Sequence, residues 1–98
     1  MNEINTKIAG ISLHQDAIKS VKALDYLVLK REPCCQFDIN AVKVLTKEGT
    51  ELGYLKKTVA FDIAPIIDAE VTVLCQVTQV TGLSNKIQGI NIILRYSA

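Results

Sequence analysis

The sequence predicts a mainly β domain with two short helices, in the order βαβββαββ, whose six strands close into a small barrel. Three observations carry that expectation. β-Branched residues recur in short runs punctuated by turn residues. Only two stretches, 15–22 and 58–67, place apolar residues at helical spacing. Six strands in 98 residues leave little else to cover the strand edges, and closure removes them. A chain of this length buries one core, so residues 1–98 are read as one domain.

Ile4 to Leu13 reads as the first strand, with Gly10 admitting a bulge or a close backbone approach. Gln15 to Lys22 reads as a short helix. Its Ala17, Ile18 and Val21 share one face, Asp16 suits the positive end, and Lys19 and Lys22 suit the other. Asp25 to Arg31 forms the second strand, which Pro33 ends by biasing Glu32 toward extended backbone. Cys34, Cys35, Gln36, Phe37 and Asp38 follow as a loop whose polar and aromatic mixture suits contact with a ligand, and pairing resumes at Asn40. Asn40 to Thr46 and Glu51 to Leu55 make a hairpin around the KEGT turn, with Val42 and Val44 on one side and Lys43 on the other. Thr58 to Ile67 is the second helix, with an arc of Val59, Ala60, Ile63, Ala64, Ile66 and Ile67. Phe61 falls off the arc, and Pro65 tightens or kinks the last turn. Val71 to Val80 and Ile87 to Tyr96 are the closing strands, joined by the polar loop 81–86. Ile90, Ile92, Leu94 and Tyr96 form the buried face of the last one.

Eleven basic side chains stand against ten acidic ones, a formal charge of +1. Charge alone therefore points to no polyanionic partner, and any nucleic-acid surface has to come from local clustering. No window approaches the apolar length of a membrane span, and the opening MNEINTK lacks a signal-peptide core. The expected location is the cytoplasm, on the nucleoid if the chain binds DNA. Three cysteines, two of them adjacent, do not resemble a secreted disulfide framework and read as reduced. Cys75 alternates with Val71, Val73 and Val77 and reads as a small core hydrophobe.

The LKKT junction, 55–58, ends a strand in two lysines and a hydroxyl that can cap the coming helix. Lys56, Lys57 and the first helix amides together suit a phosphate; an ordinary solvated helix start has the same spacing. Asp38 either caps its turn through nearby amides or accepts a hydrogen bond from a ligand hydroxyl. Phe37 either offers its ring to a base, where stacking is typically worth about 1–3 kcal/mol, or tucks into the core. His14 beside Cys34 and Cys35 invites zinc or a thiolate nucleophile. Adjacent cysteines rarely aim at one ion, however, and no base is placed by the sequence within reach of either thiol. Phosphate-binding glycine motifs, paired catalytic carboxylates and serine triads are absent. A non-enzymatic chain without metal or cofactor is expected.

The runs IAGIS at 8–12, QDAIK at 15–19, REP at 31–33, FDINAVKV at 37–44 and GYLKKTVA at 53–60, in that order, resemble the HIRAN domain in its small free-standing form. The resemblance implies an OB-like β-barrel of the kind often appended to helicase-like enzymes that remodel stalled replication forks. It also implies a grip on the 3′ end of single-stranded DNA. Position by position, it makes Asp38 the acceptor for the terminal hydroxyl, Phe37 the ring beside the last sugar and base, and Lys57 the phosphate-contacting lysine. Tyr54 takes a site-facing position that can be histidine in relatives, and His14 stands where DNA-binding members carry an aromatic. Ser12 and Leu13 replace a basic residue and another aromatic, Cys34 replaces a polar residue, and Cys35-Gln36 replaces the usual Asn-Pro. The leading expectation is a DNA-end-binding module accessory to repair or fork processing, beside a helicase or nuclease partner. The alternative is a protein-interaction or assembly module that keeps the barrel and has lost the DNA site.

Overall fold

The computed structural model describes residues 1–11, 19–32, 38–83 and 86–97. Six strands form a closed barrel: β1 (Asn2–Ala9), β2 (Tyr26–Arg31), β3 (Val42–Leu45), β4 (Glu51–Leu55), β5 (Val73–Leu83) and β6 (Lys86–Tyr96). Around the barrel the order is β1-β4-β3-β2-β5-β6, and every neighbouring pair is antiparallel. Among the described residues there is one α-helix, α1 (Lys57–Asp68), which follows β4.

Alternation along each strand aims one row of side chains inward. Val42, Val44, Leu52, Cys75, Val77, Ile90, Ile92 and Leu94 are fully buried, and the inner face of α1 adds Ala60, Ile63 and Ala64 to the same core. Burying each of the larger aliphatic side chains contributes about 1.5–3 kcal/mol, so this single cluster dominates the fold's stability. Cys75 is a core residue as expected, and burial pushes its thiol pKa up to about 12.

The strand spacing and the fourth strand match the expectation, while several ends differ for physical reasons. β1 stops at Ala9 because Gly10 turns the chain at φ +77, so the strand does not reach Leu13. The close backbone approach falls instead at Gly53. A Cβ there would run into the Ala9 carbonyl oxygen and lie 2.8 Å from Ile8 Cγ2. The expected first helix lies mostly outside the described residues. Its described end, 19–22, is a turn and irregular chain, so no helix reaches Lys22. The Lys22 amide donates to Asp25 Oδ2 at 2.9 Å, which closes a local turn instead. Asn40 belongs to a turn, leaving β3 to begin at Val42. The polar run 81–86 is largely paired strand: Thr81 opposes Gly89, Gly82 opposes Ile87 and Leu83 opposes Lys86. Ladder hydrogen bonds come from the backbone, so a polar run on a long hairpin pairs as well as an apolar one.

α1 starts one residue before the expected Thr58 and ends one beyond Ile67. Pro65 does not end it. The helical donor that Pro65 removes is the one to the Phe61 carbonyl, and both residues are exposed, so that carbonyl is accessible to solvent rather than buried unpaired. The helix closes after Asp68: the Glu70 amide donates to the Ile67 carbonyl at 2.9 Å and the Val71 amide to that of Ile66 at 3.2 Å, with Glu70 left-handed at φ +64.

Candidate functional site

Strand register decides which loops meet. Arg31 at the end of β2 opposes Val42 at the start of β3, and Lys43 opposes Tyr54 near the end of β4. The β2–β3 loop carrying Asp38 and the β4–α1 junction carrying Lys56 and Lys57 therefore share one end of the barrel. Tyr54 stands half-buried just below, on the outer wall between Lys43 and Ala9. His14 and Phe37, with Cys34 and Cys35, lie outside the described residues. Among the described residues no cluster of three or more histidine, cysteine or acidic side chains could hold a metal.

Asp38 caps its own turn. Its Oδ1 accepts the Asn40 amide at 2.9 Å, and its backbone carbonyl accepts the Ala41 amide at 3.1 Å. The carboxylate is half-buried, and its second oxygen has no partner among the described residues. Capping and ligand binding are thus compatible in this side chain, because each uses a different oxygen.

Thr58 does not cap α1. The N-cap is Lys56, no described side chain caps the helix, and no acidic residue occupies the first turn. The first intrahelical bond runs from the Ala60 amide to the Lys56 carbonyl at 2.8 Å. The amides of Lys57, Thr58 and Val59 thus have no helical acceptor, and the helix dipole adds partial positive charge where two exposed lysines already stand.

Two basic residues near this end are already committed. The Lys43 ammonium lies 2.6 Å from Glu32 Oε1 and 2.6 Å from Glu51 Oε1. Its hydrogen bond to Glu32, then that to Glu51, pushes the lysine pKa up, and the same bond and charge lower that of Glu32. Arg31 donates from Nε to Asp68 Oδ1 at 3.0 Å and from one terminal nitrogen to the Ala41 carbonyl at 2.9 Å. Its other terminal nitrogen reaches the Ile39 carbonyl at 3.0 Å and Asp68 Oδ2 at 3.3 Å. Arg31 is the residue that sequence reasoning missed: it belongs to the REP run, yet nothing local marks it as the brace between the Asp38 loop and the far end of α1.

The HIRAN domain family model matches residues 1–95. The crystal structure of the HIRAN domain of human HLTF superposes with TM-score 0.78 at 23% identity, over 97% of this chain and 74% of that one. A Lactobacillus plantarum protein gives TM-score 0.72 at 19% identity, over 95% of this chain and 98% of that one. The HLTF HIRAN domain in its DNA-bound conformation gives 0.68 at 20% identity, over 96% and 75%. An Arabidopsis thaliana SWI/SNF-related matrix-associated actin-dependent regulator of chromatin, subfamily A member 3-like 1, is 39% identical over 46 residues. That stretch is 47% of this chain and only 5% of the plant protein's length. With the family model matching nearly its whole length and the barrel shared with the solved domains, the chain belongs to the HIRAN domain family.

Proposed function

We propose that the chain is a non-enzymatic nucleic-acid-binding module that takes the 3′ end of single-stranded DNA at the barrel end shared by Asp38, Lys56 and Lys57. One observation carries the reading: a helix start with two exposed lysines and no described capping side chain shares that end of a HIRAN barrel with a carboxylate whose second oxygen has no partner among the described residues. The terminal 3′ hydroxyl donates to that oxygen, a phosphate meets Lys57 and the amides of the first helical turn, and Tyr54 flanks the sugar. Phe37 and His14 supply stacking surface in this reading. The HLTF HIRAN domain, solved in a DNA-bound conformation, supports the nucleic-acid-binding part of this reading. Such a module would serve repair or fork processing, beside a helicase or nuclease, wherever chromosomal DNA is handled.

Fluorescence anisotropy with short oligonucleotides ending in a 3′ hydroxyl or a 3′ phosphate tests the reading. The hydroxyl end should bind on the order of tenfold tighter, one charge-assisted hydrogen bond being worth about 1.5–3 kcal/mol, because a phosphate there meets the Asp38 carboxylate. Equal binding of both ends, or none at low salt, overturns it. Ser12 and Leu13, in place of a basic and an aromatic residue, favour the second reading, a protein-interaction barrel. Asp38→Ala and Lys57→Ala proteins that bind DNA as the parent does would point that way.

A further inference from the structure

Closure of the barrel leaves part of one strand edge open. β1 pairs with β6 from Asn2 to Lys7 but with β4 only at Ile8 and Ala9, because β4 ends at Leu55 and the chain turns into α1. In an antiparallel strand the amides and carbonyls of alternate residues point to opposite sides, so half of those between Asn2 and Lys7 point away from β6. Among the described residues, no backbone group bonds them on that side. An unpaired edge is a template for another strand, and proteins commonly blunt it with a proline, a bulge or an inward charge. β1 has none of these. Its register with β6 runs unbroken, with Glu3, Asn5 and Lys7 on the exposed outer face and Ile4 and Thr6 turned toward the barrel.

The order of charges says which strand fits this edge. A lone lysine would repel a second copy, but Glu3 stands four residues before Lys7. Two copies of β1 set antiparallel about Asn5 place Glu3 opposite Lys7 of the second copy and Ile4 opposite Thr6, with Asn5 facing its own counterpart. Both charged rungs are then attractive, whereas parallel pairing in register would set like charges side by side. The charges are also available. Glu3 Oε2 accepts from Arg95, its neighbour on β6, at 2.8 Å, and the other oxygen has no partner among the described residues. Lys7 opposes the neutral Asn91 and pairs with no described carboxylate.

We propose that β1 is a self-association edge, on which a second copy of this chain adds its own β1 antiparallel about Asn5 and joins two barrels through one ribbon. β4 occupies the edge beyond Lys7 in each copy, which limits the ribbon to Glu3–Lys7. So short an interface falls below the ~1,200 Å² of stable complexes, and the association belongs to the weak, concentration-dependent class.

Sedimentation equilibrium of the full chain, from micromolar to millimolar concentration, tests it. The parent should dimerise, and added salt should weaken the dimer. Glu3→Lys sets two lysines face to face and Lys7→Glu sets two glutamates face to face. Each variant alone should dimerise on the order of tenfold more weakly than the parent. Mixed, the two variants meet lysine to glutamate at both rungs and should associate as tightly as the parent does with itself. Loss of the Arg95 contact or of folding could not produce that rescue. A parent that stays monomeric at millimolar concentration overturns the proposal, as do single variants that dimerise as the parent does, or that remain monomeric when mixed. A dimer that both variants retain and Leu74→Glu abolishes would put the interface on the exposed apolar face of Tyr26, Val28 and Leu74, and would overturn it too.

Discussion

Arg31 engages both carboxylate oxygens of Asp68 and the carbonyls of Ile39 and Ala41 at once, a pattern only a planar guanidinium can reach. Asp68 is an acid at a helix C-terminus, where the dipole disfavours it, and the guanidinium offsets that charge. Arg31→Lys keeps the charge and loses the fork. It should cost about 1–2 kcal/mol of stability, a range that allows for the exposure of Asp68, and should weaken oligonucleotide binding by loosening the Asp38 turn. Urea denaturation and anisotropy on the same protein check both effects, and an unchanged denaturation midpoint would remove Arg31 from this role. At this scale Asp38 was legible, because a carboxylate two residues before the amide it caps is a local pattern. Arg31 was not, since its partner Asp68 lies 37 residues away. Lys43 read only as an outward lysine for the same reason: Glu32 and Glu51 reach it from two other parts of the chain.

Strand identities were readable because burial alternates along them, whereas strand ends were not, because backbone pairing and glycine geometry set those. Gly10 and Gly53 show the difference. Both sit in or beside strands, and only the pairing of β1 with β4 in three dimensions reveals that Gly53 takes the tight contact while Gly10 faces open space. Gly53→Ala forces a methyl against backbone that cannot swing aside, and should cost about 3 kcal/mol. Gly10→Ala strains only its left-handed φ, at about 1 kcal/mol. Chemical denaturation of the two variants should rank them in that order, and the reverse ranking would show that β1 and β4 do not approach as described. The α1 start carries a similar lesson. A threonine after two lysines is a fair capping signal, yet the helix begins one residue earlier and leaves its first amides open.

The whole barrel shares one core, so a group buried in it titrates only when the molecule unfolds. The Cys75 thiol is held neutral up to about 12, whereas an unfolded cysteine ionises from about pH 8.5–9. Its folded pKa is raised, so its contribution is complete below the unfolded value and is lost as pH rises. Above pH ~9, stability should fall by about 1.4 kcal/mol per pH unit from this group alone, up to its folded value. Lys43, also raised, adds loss in the same direction at the top of that window. Urea denaturation of the parent and Cys75→Val across this range isolates the thiol: the variant's profile should be flatter, and parallel profiles would contradict the burial. The six-strand barrel itself was legible from strand count and length, because so short a chain has few other ways to satisfy its edges.

Closure of that barrel is uneven: where β1 meets β4 it is latched by two rungs, against six on β1's other side. The β2–β5 seam also has two rungs, but the Leu24–Val77 and Val77–Asp25 backbone bonds extend it, so the wall should part first between β1 and β4. A ligand held at the β4–α1 junction beside that seam would make occupancy and barrel integrity two readings of one equilibrium, with the bound module harder to open than the free one.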